Sequence, residues 1–136
     1  MKASNYVYFN GNCKEAFQFY TAATGGDLLM MMTYDQMPAQ EQTSPELAGK
    51  IVHARIKLGD SSLMGADAPP DRYSRPQGFS VSLDCDTPEE AERIYAALSE
   101  GGGVFMPMSE TFFAARFSMF TDKFGVPWMV MCENRS

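Results

Sequence analysis

The chain contains the same sequence pattern twice, and this duplication limits its fold more than any other feature. In the first copy, the strand-forming run NYVYF at residues 5–9 precedes GNCKEAFQFYTAATGG, in which apolar residues recur with helical spacing. In the second copy, FSVSLDC at residues 79–85 precedes DTPEEAERIYAALSEGGG, which has the same spacing. The chain is therefore a tandem duplication of one supersecondary unit.

The starts of both helices carry capping residues. Asn12 and Glu15 have the spacing of a capping box, and so do Thr87 and Glu90. Glu15-Ala16 matches Glu90-Ala91 at one offset, and that offset pairs Tyr20 with Tyr95. Glycine pairs at 25–26 and 101–102 then end the two helices.

Each unit continues with three more strand-forming runs. They lie at residues 27–34, 52–59, 61–67, 104–108, 115–121 and 127–132. The sequence predicts an α+β fold of two tandem βαβββ units. We expect a single domain with halves at 1–66 and 78–136 and a linker at 67–77. The polar stretches 35–49 and 67–78 are predicted to be solvated connections, with a ligand-covering loop as the alternative.

Composition narrows the possible partners. The chain of 136 residues is 45% hydrophobic, which suits one core, and its net charge of −6 disfavours nucleic acid and anionic membranes as partners.

The three cysteines form no C-x-x-C pair, which favours reduced thiols in the cytoplasm. The opening residues lack an apolar signal-peptide core, and no apolar run is long enough to span a membrane.

The doubled unit, with FNGNCKEAFQFY, HAR and ETFFAARFSMFTDKFGVPWMV, resembles the PhnB-like branch of the vicinal oxygen chelate superfamily. This superfamily includes glyoxalase I, bleomycin-resistance proteins and extradiol dioxygenases. The branch is sometimes labelled a 3-demethylubiquinone 3-methyltransferase domain. The resemblance implies a curved cup of eight strands in mixed sheets with the helices outside, a small-molecule ligand and a homodimer.

The metal-binding members of that superfamily take ligands from the first and last strands of each half. Carried over, these places fall on Asn5, Ser80, Leu63 or Met64, and Met129. A catalytic divalent site needs imidazole or carboxylate donors, and these side chains supply none. We therefore predict no metal site, and we retain a metal-dependent glyoxalase-type enzyme as a further alternative.

No cofactor is predicted. Gly101-Gly102-Gly103 follows a helix and precedes a strand, whereas a nucleotide-binding glycine turn follows a strand and precedes a helix. The methyltransferase label is therefore a poor guide to activity.

Two polar residues on one strand are candidates for chemistry. His53 alternates with apolar neighbours and shares its side with Arg55. If that side faces the cup, His53 is a candidate base and Arg55 a candidate clamp for an anion. A solvated strand face is the other interpretation.

The second half supplies further candidates. Glu110 stands beside Phe112 and Phe113, where aromatic surroundings favour an acid or base, or it pairs with Arg116. Phe112 and Arg116 are candidate ligand contacts. Trp128 either stacks on a ligand or fills the core.

The first strand leaves two interpretations open. Alternation of apolar residues puts Val7 and Phe9 toward the helix, whereas superposing the halves puts Tyr6 and Tyr8 there. The role of Asn5 in ligand binding depends on this choice. Cys13, at a helix start, has either a pKa lowered by the helix dipole or the role of a small buried residue.

These observations support three hypotheses. The first is a small-molecule-binding protein of this fold, without metal and with no assigned activity. The second is a metal-independent lyase or isomerase that uses His53 and Glu110 for proton transfer. The third is an interaction or structural protein.

Overall fold

The structure is a computed structural model that describes residues 1–42 and 44–134. The chain divides into two compact units, residues 1–74 and residues 75–136. The first unit contains β1 (Asn5–Phe9), α1 (Cys13–Thr24), β2 (Asp27–Thr33), β3 (Ile51–Leu58) and β4 (Ser61–Asp67). The second contains β5 (Val81–Asp84), α2 (Pro88–Ser99), β6 (Gly103–Ser109), β7 (Ala114–Thr121) and β8 (Pro127–Glu133). The predicted α+β fold of two βαβββ units is confirmed.

Both units have the same sheet topology. The strand order is β1-β4-β3-β2 in the first sheet and β5-β8-β7-β6 in the second. The pairs β1–β4 and β5–β8 are parallel, and the other neighbours are antiparallel, so both sheets are mixed. The predicted cup and the single domain concern the two halves together and stay predictions.

One face of each sheet is covered by the unit's own helix. In the first unit, Phe17 and Tyr20 of α1 are fully buried, and so are Val7 and Phe9 of β1. A Cβ at Gly65 would lie 2.9 Å from the Phe17 ring, so the absence of a side chain lets α1 pack close to β4. In the second unit, buried residues of α2 and β8 form the corresponding core; they are Ala91, Ile94, Leu98, Trp128 and Val130.

The side-chain directions of β1 settle the choice left open by the sequence. Val7 and Phe9 are buried, whereas Tyr6 and Tyr8 are exposed. The alternation of apolar residues therefore predicted this strand correctly. Superposition of the two halves was wrong by one residue, because the offset that matches the helices does not hold for the preceding strands.

The first turn of α1 differs from the prediction. Asn12 makes no side-chain capping bond. The carboxylate of Asp67, at the end of β4, instead accepts from the backbone N–H groups of Gly11 and Cys13, each at 3.0 Å. Asp67, which is distant in the sequence, thus accepts hydrogen bonds at the helix start in place of the predicted cap Asn12. In α2, by contrast, Thr87 Oγ1 accepts from Glu90 N at 3.1 Å as predicted.

The polar stretch after β2 is built from short turns of 3₁₀-helix. These lie at Tyr34–Gln36, Ala39–Glu41 and Pro45–Leu47, and Leu47 is buried. Thr43 lies outside the described residues. None of the helices in the described ranges combines the length and apolar character needed to cross a membrane.

Candidate functional site

The face of the first sheet opposite α1 carries polar and apolar side chains together. The register places Tyr6 beside Met64, Met64 beside Arg55, and His53 beside Met32. We call this surface the open face, and it consists of Tyr6, Tyr8, Met30, Met32, His53, Arg55 and Met64. All seven side chains are exposed or partly exposed. The predicted polar side of β3 therefore lies on the sheet face away from the helix.

A hydrogen bond joins two strands of the open face. Tyr6 Oη lies 2.9 Å from His53 Nδ1, and the two rings stack with centroids 5.6 Å apart. The Tyr8 ring lies 5.2 Å from the Tyr6 ring. Burial raises the pKa of the Tyr6 phenol, and the neighbouring Tyr8, Cys13 and Tyr34 raise it further. The phenol therefore stays protonated at neutral pH and can donate to the imidazole.

The direction of this hydrogen bond and the tautomer of the neutral histidine determine each other. When Tyr6 donates to Nδ1, the imidazole proton lies on Nε2, because a neutral imidazole has one donor and one acceptor nitrogen. Nε2–H is then a donor available to an oxygen atom of a ligand. Tyr6 was not among the residues predicted for the site. The alternation that exposes Tyr6 on β1 is the sequence signal that could have identified it.

The guanidinium of Arg55 is held by a neighbouring strand. Its Nε and Nη2 donate to Ser62 Oγ at 3.3 Å and 3.2 Å. Guanidinium has five N–H donors, and these two bonds use two of them. Arg55 is exposed, so a charged donor with a restrained direction lies on the same face as His53. The structure thus brings together the candidate base and the candidate anion clamp.

Asn5 lies on the other side of β1. It shares the side of Val7 and Phe9, at the exposed start of the strand. The structure therefore does not bring Asn5 together with Tyr6 and His53. Its role in ligand binding stays a prediction.

The candidates of the second unit occupy two environments. Glu110 and Phe112 are exposed between β6 and β7, where the Phe112 ring lies 5.1 Å from that of Phe113. Arg116 lies on the helix side of β7, and its Nε donates to Glu92 of α2 at 3.0 Å, rather than to Glu110. The catalytic role of Glu110 and the ligand contacts of Phe112 and Arg116 stay predictions.

Trp128 lies in the core of the second unit. Its side chain is fully buried, and its indole Nε1 donates to Asp122 Oδ2 at 2.8 Å. Asp122 also accepts from the backbone N–H groups of Phe124 and Val126, so the T-D-K-F-G turn and the tryptophan share one carboxylate. A hydrogen bond thus joins Asp122 of the turn to Trp128 of the core. The ligand contact of Trp128 stays a prediction.

The positions expected for metal ligands do not fit a divalent metal. Leu63 is buried toward α1, while Met64 and Met129 are partly exposed on the opposite faces of their sheets. None offers the oxygen or imidazole donor that a catalytic divalent cation needs. Among the described residues, no group of three His, Cys, Asp or Glu side chains is arranged to hold a metal ion.

The glycine run has a packing role. Gly101 has a φ of 77°, as the end of a helix requires, and a Cβ on Gly102 would lie 2.1 Å from Thr121 O. The first unit repeats this arrangement, since Gly25 has a φ of 76° and a Cβ on Gly26 would lie 2.7 Å from Lys57 O. The glycines therefore end each helix and let the chain pass close to a strand.

The thiol of Cys13 is not activated by its helix. Burial raises its pKa well above the ordinary value, and the charge of Asp67 raises it further. The interpretation of a pKa lowered by the helix dipole was therefore wrong, because burial of this thiol raises its pKa. Its description as a small buried residue is correct.

Several known proteins are similar to this chain over nearly its whole length. Protein YjdN of Escherichia coli is 36% identical, over 96% of this chain and 94% of YjdN. The crystal structure of PA1353 from Pseudomonas aeruginosa shares 44% identity with a TM-score of 0.90, covering 99% of both chains. A PhnB protein from Bacillus cereus shares 25% identity with a TM-score of 0.80, covering 97% of this chain and 99% of its own.

A more distant likeness shows the fold alone. A glyoxalase, bleomycin-resistance and dioxygenase domain from Frankia is 12% identical with a TM-score of 0.67, covering all of this chain and 94% of its own.

The family model described as 3-demethylubiquinone-9 3-methyltransferase matches residues 1–131. The chain therefore belongs to this PhnB-like family.

Proposed function

We propose that the protein binds a small molecule on the open face of its first unit without a metal, and that this molecule has an apolar body and an anionic group. The bond between Tyr6 and His53, beside the exposed Arg55, is the observation that carries the proposal. A few convergent polar groups on an otherwise apolar surface are the usual composition of a small-molecule site.

The anionic group follows from the donors. When Tyr6 donates to Nδ1, His53 offers Nε2–H, and Arg55 offers charged N–H groups. Both donate, so they suit oxygen acceptors such as those of a carboxylate or phosphonate.

The apolar body follows from the side chains around these donors. Met30, Met32, Met64 and Tyr8 surround the polar pair, and methionine adapts to ligands of irregular shape.

The first experiment is native mass spectrometry of the protein purified from its own host, with elemental analysis of the same sample. A bound organic mass without a divalent metal supports the proposal, whereas a stoichiometric divalent ion with no organic mass contradicts it.

Direct binding tests the charge requirement. Phenylphosphonate and benzyl alcohol have similar apolar bodies but differ in charge, and calorimetry should detect the phosphonate alone. Arg55→Ala should weaken phosphonate binding by at least about tenfold, because a charge-assisted hydrogen bond contributes about 1.5 to 3 kcal/mol. Lys57→Ala, two residues along the same strand, is the matched control and should change affinity less. Equal loss in both variants would point to a general attraction for anions.

Proton transfer by His53 and Glu110 is the alternative function. The Tyr6 contact orients the imidazole of His53, which a general acid or base requires. A metal-independent lyase or isomerase of this kind predicts that His53→Ala and Glu110→Ala separately abolish turnover at unchanged thermal stability. Turnover retained in both variants would exclude it.

We propose as well that the protein is a single-domain homodimer of the cytoplasm. Each unit exposes apolar residues on its edge strand, namely Leu28 and Leu29 on β2 and Val104 and Phe105 on β6. All three cysteines are free thiols, which suits a reducing compartment. Light scattering should give twice the chain mass of 15.1 kDa. A mass of one chain at every concentration would contradict the dimer.

A further inference from the structure

Two of the three cysteines lie near the ends of paired strands in the second unit, since Cys85 directly follows β5 and Cys132 is in β8. The parallel register of β5 and β8 pairs Leu83 with Val130 and Asp84 with Met131. If this register is continued by one residue beyond Asp84 and Met131, Cys85 comes opposite Cys132. The backbone supports this continuation, since Cys85 N donates to Met131 O at 2.7 Å.

The two side chains point the same way. Residues two apart on a strand share a face, so Cys85 follows Leu83 and Cys132 follows Val130. Val130 is fully buried on the side of α2, and both cysteines are buried with exposed fractions of 4% and 2%. The thiols therefore lie on the helix-covered face of the sheet.

The spacing suits a covalent bond. Neighbouring strands lie about 4.8 Å apart, and disulfides join residues whose Cα atoms are about 4.4 to 6.8 Å apart. The two side chains are close enough to interact electrostatically, since Cys132 is one cause of the raised pKa of Cys85.

We propose that Cys85 and Cys132 form a dithiol site that hydrogen peroxide converts to an intramolecular disulfide. One thiolate attacks the peroxide, so that an S–O bond forms, the O–O bond breaks and hydroxide leaves as water after taking up a proton. The second sulfur then attacks the sulfenic acid, so that the S–S bond forms, the S–O bond breaks and a second water leaves. Two thiols lose two electrons and two protons, and one peroxide is reduced to two waters.

The surroundings make the reaction slow in the closed protein. Burial raises the pKa of Cys85 to about 12, and Glu90, Cys132 and Asp84 raise it as well. Thiolate therefore forms when the strand ends open. Cys85 directly follows β5 and Cys132 is next to the last residue of β8, and strand ends are where local opening costs least.

The third cysteine provides an internal comparison. Cys13 is equally buried, but it lies at the start of α1 in the first unit, and the other two cysteines belong to the second unit. We expect it to stay reduced under conditions that form the disulfide between Cys85 and Cys132.

The test is oxidation of the full chain followed by peptide mapping. The folded protein is treated with hydrogen peroxide, unfolded in an excess of iodoacetamide and digested. We expect a linked pair of peptides that contain Cys85 and Cys132, loss of iodoacetamide labelling at those two residues, and labelling at Cys13. A reducing agent should restore both labels.

Three variants complete the test. Cys13→Ala should keep the linked peptides, and Cys85→Ala and Cys132→Ala should each lose them. Circular dichroism identifies the variants that fold. If a variant does not fold, the peptide map of the wild-type protein still tests the proposal. Links that involve Cys13, or sulfinic acid at Cys85 and Cys132 without any link, would overturn the proposal.

Discussion

The carboxylate of Asp67 accepts a hydrogen bond of 3.0 Å from the backbone N–H of Cys13, so the last residue of β4 holds the first turn of α1. The same carboxylate accepts from Gly11 N at 3.0 Å and from Ile51 N at 2.9 Å. One buried side chain thus joins a helix start, a turn and a strand.

Replacement of Asp67 should therefore destabilise the protein strongly. Asp67→Ala removes the acceptor for three buried or partly buried N–H groups and should lower the free energy of unfolding by about 3 kcal/mol or more. Asp67→Asn retains one acceptor oxygen and should cost less. Urea denaturation measures both, with the exposed Asp71→Asn as control. An alanine variant within about 0.5 kcal/mol of the wild type would show that water replaces the carboxylate.

Alkaline pH should destabilise the protein through acidic groups whose pKa values are raised by folding. The pKa values of Cys13, Tyr6 and Tyr34 are raised, mainly by burial, so the native chain keeps protons that the unfolded chain releases. The stability that these groups contribute is fully present while the pH is below their pKa values in the unfolded chain. It is lost as the pH rises through their pKa values in the folded chain.

The measurement is urea denaturation between pH 8 and pH 11. Once the pH passes the ordinary thiol value of 9.0, each retained proton should lower the free energy of unfolding by up to about 1.4 kcal/mol per pH unit. Cys13→Ala removes one such group and should flatten the slope. If the dependence of the free energy of unfolding on pH is unchanged in this variant, groups other than Cys13 cause the loss of stability.

Two neighbouring glycines should respond differently to alanine. A Cβ on Gly102 would lie 2.1 Å from Thr121 O, a backbone atom, whereas a Cβ on Gly103 would meet nothing within 4 Å. Gly102→Ala should cost about 2 kcal/mol or more, and Gly103→Ala should be nearly neutral. Thermal denaturation compares the pair, and similar costs would mean that the chain relaxes around the added methyl group.

The contact between Tyr6 and His53 should be visible in the form of the imidazole. His53 is the single histidine, so its ring nitrogens give one set of ¹⁵N signals. In the neutral ring, the wild type should carry its proton on Nε2, and Tyr6→Phe should shift the population toward Nδ1–H. Tyr8→Phe is the control. A wild-type proton on Nδ1 would reverse the donor and acceptor of this bond.

Periodicity in the sequence was sufficient to predict most of the fold. Apolar spacing located α1 and α2, and the repeated glycine pairs marked their ends, because these features depend on neighbours in the chain. The exposed side of β3, with His53 and Arg55, followed from alternation alone.

Contacts between distant residues could not be predicted in this way. The capping of α1 by Asp67 spans 54 residues, so the local signal of Asn12 and Glu15 pointed to the wrong acceptor. The partner of Arg116 was missed for the same reason, since Glu92 lies on a helix that only the folded unit brings near. Tyr6 was missed because its significance depends on the position of His53, 47 residues away.

Trp128 is the single tryptophan of the chain, and it is buried in the second unit. Its fluorescence is therefore a spectroscopic label for one of two duplicated halves. Circular dichroism reports on both halves, so a comparison of the two signals measures how cooperatively the two copies unfold. Coincident transitions would mean that the copies have merged into one thermodynamic unit, and separated transitions would mean that each copy still unfolds independently.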